Sequence, residues 1–201
     1  MDFMTITQPD RPQRRLACRA VALTLLLAGA GLPLAPQAAQ AAQAGVPALE
    51  WRVKAAFLYK FLGYADFPPQ AFIDAGAPLT IGVVGADDMA AELTRIATGR
   101  LVAGRTIAVR ALRGHELAQP VHLLFVAGQD GARTARLLRS SLAWLTVTEC
   151  AGCLRHGSVI NFTIVDQRVR FDVALDTAQK KNVKLSSRLL SVANRVQKGA
   201  S

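Results

Sequence analysis

The spacing of apolar residues predicts four helical regions. From about residue 48 to 65 apolar residues recur every three or four positions, as on one face of a helix, and Pro68-Pro69 follows as a stop. Further helices are predicted from Asp87-Asp88, around 130–141, and from Asp176 onward. The residues predicted to face inward are Leu49, Val53, Ala56, Phe57, Phe61, Tyr64, Met89, Leu93, Ile96, Leu137, Leu138, Leu142, Leu185, Leu189, Leu190, Val192, Ala193 and Val196.

Short apolar runs between these regions predict the strands. Residues 79–84 (LTIGVV) form a nearly continuous apolar run, which is typical of a buried strand. Residues 158–165 and 168–175 are joined by Asp166-Gln167, which predicts a β-hairpin with a two-residue turn. Other strands are predicted at 106–112, 122–127 and 144–148.

This order of elements predicts the fold class. Strands alternate with helices and are followed by a hairpin and a terminal helix, so we predict a single α/β domain. Its mixed sheet has about six strands, with a parallel part and a C-terminal antiparallel hairpin, and is flanked by helices. The domain spans residues 45–201, which is long enough for one core and too short for two.

Residues 1–44 have the composition of a cleavable secretory signal peptide. Four arginines, the last being Arg19, precede a charge-free stretch at 20–34, and residues 39–44 offer two A-x-A cleavage patterns. The apolar stretch is shorter than the roughly 20 residues that a membrane-spanning helix needs. We therefore predict a mature chain in the periplasm, with a short membrane anchor as the alternative.

The chain is basic, with 24 Lys and Arg against 14 Asp and Glu and a net charge of +10. The longest basic run is Lys180-Lys181, and aromatic residues do not interleave with basic ones as on a single-strand binding surface. An exported protein meets anionic lipids and acidic partner domains. We therefore predict no nucleic-acid partner.

Signals for catalysis or for a cofactor are weak. Gly82 and Gly85 lack the spacing of a dinucleotide-binding fingerprint, and the carboxylates of Asp87-Asp88 would repel a pyrophosphate, so we interpret both glycines as turn residues. The three histidines accompany no hydrolase or metalloprotease motif, and we interpret them as surface or strand-edge residues; they are His115, His122 and His156. The sequence therefore predicts no enzyme, no cofactor and no metal.

Cys150 and Cys153 are the two cysteines that remain without residues 1–44. In an oxidising compartment their natural interpretation is a disulfide, which over so short a loop serves to shape a turn. Three alternatives stay open. The pair could be redox-active, although the helix that usually lowers the thiol pKa is not predicted after it; it could bind zinc together with His156; or both thiols could be free.

Several blocks of the chain resemble the YfiR family in the same order. The first is 53–61 (VKAAFLYKF), ending near Phe67-Pro68, with Lys60 and Phe67 where the family has Asn and Trp. The strongest blocks are 157–162 (GSVINF), 168–173 (RVRFDV) and 185–190 (LSSRLL), and others lie at 79–85, 104–110, 122–126 and 145–148. The resemblance covers about residues 48–197.

The resemblance implies a function. YfiR-like proteins are periplasmic regulators that bind the periplasmic sensor part of a membrane-anchored diguanylate cyclase and hold it inactive, which lowers cyclic di-GMP and biofilm formation. It also implies redox modulation through cysteines, of which this chain offers one closely spaced pair. The partner could instead be a related sensor, and a homodimer stays open.

We predict that the partner surface lies in the C-terminal block. Arg170 alternates with Phe171 along the predicted hairpin, so that one face is charged and the other buried. Interfaces favour arginine beside apolar anchors, and we expect Arg170, Lys184 and Arg188 to contact the partner. The alternative is that these cations only solvate the fold.

Two other functions stay open. One is a small-ligand-binding module that feeds a membrane sensor or a histidine kinase, and a deep apolar pocket would favour it. The other is a thiol oxidoreductase that uses Cys150 and Cys153, and a low thiol pKa would favour it.

Overall fold

The computed structural model describes the backbone of residues 38–198 and the side chains of residues 49–198. The predicted signal peptide lies outside the described residues except for 38–44, which belong to the first helix. The helices are α1 (Ala38–Gly63), α2 (Asp87–Ala97), α3 (Gly131–Ser140), α4 (Leu175–Lys180) and α5 (Ser187–Val192). The strands are β1 (Ala65–Asp66), β2 (Leu79–Val84), β3 (Ile107–Ala111), β4 (Leu123–Val126), β5 (Leu145–Thr148), β6 (Ile160–Val165), β7 (Arg168–Ala174), β8 (Lys184–Leu185) and β9 (Arg195–Gln197).

Seven strands form one mixed sheet in the order β3-β2-β4-β5-β6-β7-β9. The strands from β3 to β6 pair in parallel, β6 and β7 pair antiparallel, and β9 pairs in parallel with β7. The predicted fold class is confirmed. The sheet has seven strands rather than six because β9 was not predicted, and β1 pairs separately with β8.

The predicted hairpin is confirmed in register and in turn chemistry. Val165 pairs with Arg168 directly across a two-residue turn. Asp166 and Gln167 both have positive φ, 47° and 58°, which is the type I′ geometry that matches the twist of the flanking strands.

The core lies on both faces of the seven-stranded sheet. On one face α1 and α2 bury apolar residues together with an aromatic cluster, in which the ring centroids of Phe61 and Phe171 lie 5.0 Å apart. On the other face α3 contributes Leu138 to a smaller cluster with Leu124 and Val126 of β4. The sheet is therefore the middle layer of the domain.

The predicted inward face of α1 is partly wrong. Leu58 and Leu62 are buried, whereas Leu49 is 63% exposed and Tyr64 is also exposed. The helix carries apolar residues around much of its circumference, so spacing alone does not define its buried side. Leu142, predicted to face inward, is 60% exposed because α3 ends at Ser140.

The continuous helix predicted from Asp176 onward is wrong. Helix α4 ends at Lys180, and Asn182 then adopts the left-handed conformation (φ 54°) that terminates helices. The chain passes through β8 before Ser186 caps α5 by accepting a hydrogen bond from the N–H of Leu189. Pairing of β9 with β7 then satisfies backbone groups that a longer helix would have paired internally.

One of the two glycines interpreted as turn residues lies elsewhere. Gly82 sits inside β2, where a Cβ would stand 2.6 Å from Cδ1 of Leu112, so its role is close packing. Gly85 follows β2 with a φ of +79° and is a turn residue, as predicted.

Candidate functional site

The cysteine pair closes the turn that follows β5. The sulfur atoms of Cys150 and Cys153 lie at disulfide distance, with Cα atoms 5.5 Å apart, and both residues are buried. Gly152, between them, has a left-handed φ of 72° that favours glycine. A single 3₁₀ turn, Cys153–His156, follows. Exchange-active cysteines are partly exposed, so this burial does not favour a thiol oxidoreductase.

The residue before Cys150 belongs to a buried ion-pair cluster. Oε2 of Glu149 lies 2.6 Å from Nζ of Lys54, and its Oε1 accepts a hydrogen bond from the N–H of Gly128 at 2.7 Å. Glu50, one turn before Lys54 on α1, supplies a second carboxylate. The cluster therefore ties α1 to the carboxyl ends of β4 and β5.

The charge state of Lys54 is fixed by this cluster. Burial by itself lowers the pKa of Lys54, but the hydrogen bonds and charges of Glu149 and Glu50 outweigh burial and raise the pKa above its usual value. A lysine nucleophile needs the opposite shift. Lys54 therefore acts as a structural cation.

Buried hydroxyl and amide groups continue this polar layer between β5 and β6. The hydroxyl of Thr148 lies 2.6 Å from Oδ1 of Asn161 and 2.9 Å from Oγ of Ser158, which in turn donates to the carbonyl of Ile160 at 2.7 Å. These polar atoms bond to one another, which fixes β6 against β5.

The role of Lys54 was not predicted, although the sequence carries a signal for it. Lys54 precedes Leu58 and Leu62 by four and eight positions, so it occupies the buried stripe of α1. A lysine at such a position predicts a buried carboxylate partner. The spacing does not reveal that the partner is Glu149, which lies 95 residues away.

The structure does not bring the three predicted partner-binding residues into one patch. Arg170 lies on the exposed side of β7 and lines a recess of about 620 Å³ between the hairpin and residues 191–194. Lys184, on β8, lines a different groove of about 910 Å³. Arg188 is exposed on α5 and lines neither.

An apolar depression adjoins the recess of Arg170. It has a volume of about 260 Å³ and shares Val192, which is 60% exposed, with that recess. Lys60 of α1 and Tyr64, directly after α1, also line it. Val192 was predicted to face inward, and its exposure follows from the early end of α5. We call this depression together with the recess of Arg170 the Val192 surface.

The groove beside Lys184 is larger than either the recess of Arg170 or the apolar depression. Phe67, Pro68 and Trp144 supply its apolar walls, and Gln179 and Asn182 supply amide groups. It is an open cleft rather than a deep apolar pocket, with a volume in the range of small-molecule sites.

The three histidines occupy different environments. His115 and His156 are exposed, as predicted. His122 is buried just before β4, so its interpretation as a surface or strand-edge residue is wrong. Its neighbours are the aromatic residues Phe67 and Phe72, which sequence spacing does not place beside it.

The chain belongs to the YfiR/HmsC-like family, whose family model matches residues 52–194. This confirms the resemblance, and the match includes both β1 and β8 and all sheet strands except β9. The family is regulatory, non-catalytic and periplasmic. A comparison with curated proteins gives no match.

Neither a membrane-crossing helix nor a metal-binding cluster occurs among the described residues. No described helix combines the length and the apolar character that crossing a membrane requires. Across the same residues, no three His, Cys, Asp or Glu side chains gather in a way that could hold a metal ion.

Proposed function

We propose that this chain is a periplasmic, non-enzymatic regulator that binds the periplasmic sensor part of an inner-membrane diguanylate cyclase and represses it. Repression lowers cyclic di-GMP and hence biofilm formation. The observation that carries the proposal is the family match over residues 52–194. The predicted signal peptide at 1–44 supports export to the same compartment.

We place the partner on the Val192 surface, with Arg170 as a charged contact. Exposed aliphatic and aromatic residues beside arginine are typical of interface anchors. Arg168 and Arg170 line the recess together with a single acid, Asp166, and Lys60 adds a cation next to Val192. This charge suits a partner segment with acidic residues around one apolar side chain. Arg188 and Lys184 would then contact the partner outside this surface.

The experiment combines a binding assay with a cellular readout. Arg170→Glu together with Arg188→Glu should weaken binding to the purified sensor domain of the cyclase and raise cellular cyclic di-GMP. Arg136→Glu with Arg139→Glu, which reverses two exposed charges on α3, is the matched control. Unchanged affinity of the folded double variant would exclude this surface, and absence of binding by the wild-type chain would exclude the proposed function.

The groove beside Lys184 favours a second candidate function, a ligand-binding module that feeds a membrane sensor or a histidine kinase. Its aromatic and amide lining suits a small molecule that stacks and forms hydrogen bonds. Titration of periplasmic extract metabolites, followed through the fluorescence of Trp144, tests this function. A response that Trp144→Phe abolishes and Trp51→Phe retains would support it.

A further inference from the structure

His122 joins the sheet to the segment between β1 and β2. Its main-chain N–H donates to the carbonyl of Thr80 at 3.0 Å, and the N–H of Thr80 donates to the imidazole Nδ1, also at 3.0 Å. The ring of Phe72 lies against the imidazole, with centroids 4.7 Å apart, and Phe67 meets it edge-on at 5.4 Å. Both aromatic residues belong to the segment at 67–72.

This geometry admits only the neutral imidazole. Because Nδ1 accepts the hydrogen bond from Thr80, it carries no proton, and the proton of the neutral ring is on Nε2. Nε2 is buried and has no hydrogen-bond partner among the described residues. Adding a proton to Nδ1 would set two donors, the imidazole N–H and the Thr80 N–H, against each other.

The charged surroundings of His122 also oppose protonation. Arg105, from the loop before β3, stacks on the ring of Phe72, with its guanidinium carbon 4.0 Å from the ring centroid. Thr80 of β2 and Leu145 of β5, which bond to the main chain of His122, carry no charge. The carboxylate of Asp74, in the segment before β2, accepts a hydrogen bond from the N–H of Gly76 and not from His122.

We propose that His122 is an acid-sensitive latch that holds residues 67–72 against the sheet and releases them when the imidazole is protonated. Phe67 and Pro68 line the groove that contains Trp144, so release of the segment changes the shape of the groove. The latch works without a partner and is independent of the proposed function.

The direction of the pH effect follows from the environment of the imidazole. Burial lowers the pKa of His122, and the positive charge of Arg105 lowers it further. The carbonyl of Ala71 lies near the imidazole and acts in the opposite direction, although it does not accept a hydrogen bond from Nε2. The open segment exposes an imidazole with an ordinary pKa of about 6.5. The open form therefore binds more protons, and the latch weakens as the pH falls below about 6.5.

Amide hydrogen exchange of the exported chain at pH 7.5 and 5.0, corrected for intrinsic exchange rates, tests the latch. Exchange in residues 67–77 should rise severalfold at pH 5.0 in the wild-type chain. His122→Asn retains a short side-chain acceptor that does not titrate, so its exchange should not depend on pH. His115→Asn and His156→Asn, which replace exposed histidines, should behave as the wild type does.

Equal exchange at the two pH values in the wild type would overturn the proposal, and so would the same pH response in His122→Asn. If His122→Asn does not fold, the nitrogen NMR shifts of the wild-type imidazole, which report its protonation state, test the proposal instead. The latch is supported by a neutral ring that carries its proton on Nε2 at pH 7.5 and becomes protonated as the segment opens on acidification. A proton on Nδ1 at pH 7.5 contradicts it.

Discussion

The carboxylate of Glu149 lies 2.6 Å from the ammonium group of Lys54, 95 residues earlier in the chain. Glu149 immediately precedes Cys150, so the ion pair sets α1 beside the turn that the cysteines close. Both side chains are almost fully buried. In such a pair each charge compensates the other, and removing either one leaves an uncompensated charge in the protein interior.

We expect Lys54→Ala to lower the free energy of unfolding by about 3 kcal/mol, because Glu149 would then be buried without its cation. Chemical denaturation at neutral pH measures the change. Lys180→Ala is the matched control: it removes an ion pair with Asp176 in which Lys180 is exposed, and it should leave the unfolding midpoint unchanged. Equal effects of the two substitutions would contradict the structural role of Lys54.

The cysteine pair is expected to stabilise the fold rather than to carry out exchange. Cys150→Ala with Cys153→Ala should lower the free energy of unfolding by about 2 kcal/mol, as expected for closing a very short loop. The non-reduced mature protein should weigh two hydrogen atoms less than its sequence predicts. Loss of partner binding at an unchanged melting temperature would show that the pair has a functional role instead.

Val192 should be a binding anchor. Val192→Asp places a carboxylate in the apolar depression and should weaken binding to the cyclase sensor domain by about 2 kcal/mol, roughly thirtyfold. Leu142→Asp is a close control because Leu142 has the same exposure, 60%, and lies after α3. Calorimetric titration of both variants measures the difference. Similar affinities for the two variants would place the interface elsewhere.

The exported protein should begin near Ala42 or Gly45, where the A-x-A patterns end. N-terminal sequencing of the periplasmic fraction measures the cleavage site. A mature N-terminus that still includes Arg14 would contradict the signal peptide.

Local sequence predicted the elements whose boundaries depend on local chemistry. The apolar run at Leu79–Val84 and the turn at Asp166-Gln167 were placed correctly, because a buried strand and a type I′ turn each leave a pattern within a few residues. The segment after Asp176 was misassigned because tertiary pairing with β7 outweighed its helical spacing.

The candidate sites depend on contacts between residues that are distant in the sequence. They were therefore predicted less well than the strands and turns that leave a local pattern. Arg170 was correctly expected to be exposed, but Val192 beside it was expected to be buried. The aromatic surroundings of His122 come from the segment before β2, more than forty residues earlier, so no local pattern indicates them. The partner-binding roles of Arg170, Lys184 and Arg188 stay predictions.

The short strand β9 also has a consequence for solubility. It covers the outer edge of β7 at Asp172–Ala174, and Asn194 holds it there by donating from its side chain to Asp172. The remaining edge of β7 carries Arg168 and Arg170, charged residues of the kind that discourage strand addition between copies. A chain truncated before β9 would present a longer unpaired edge, and edge-to-edge aggregation would then compete with native folding.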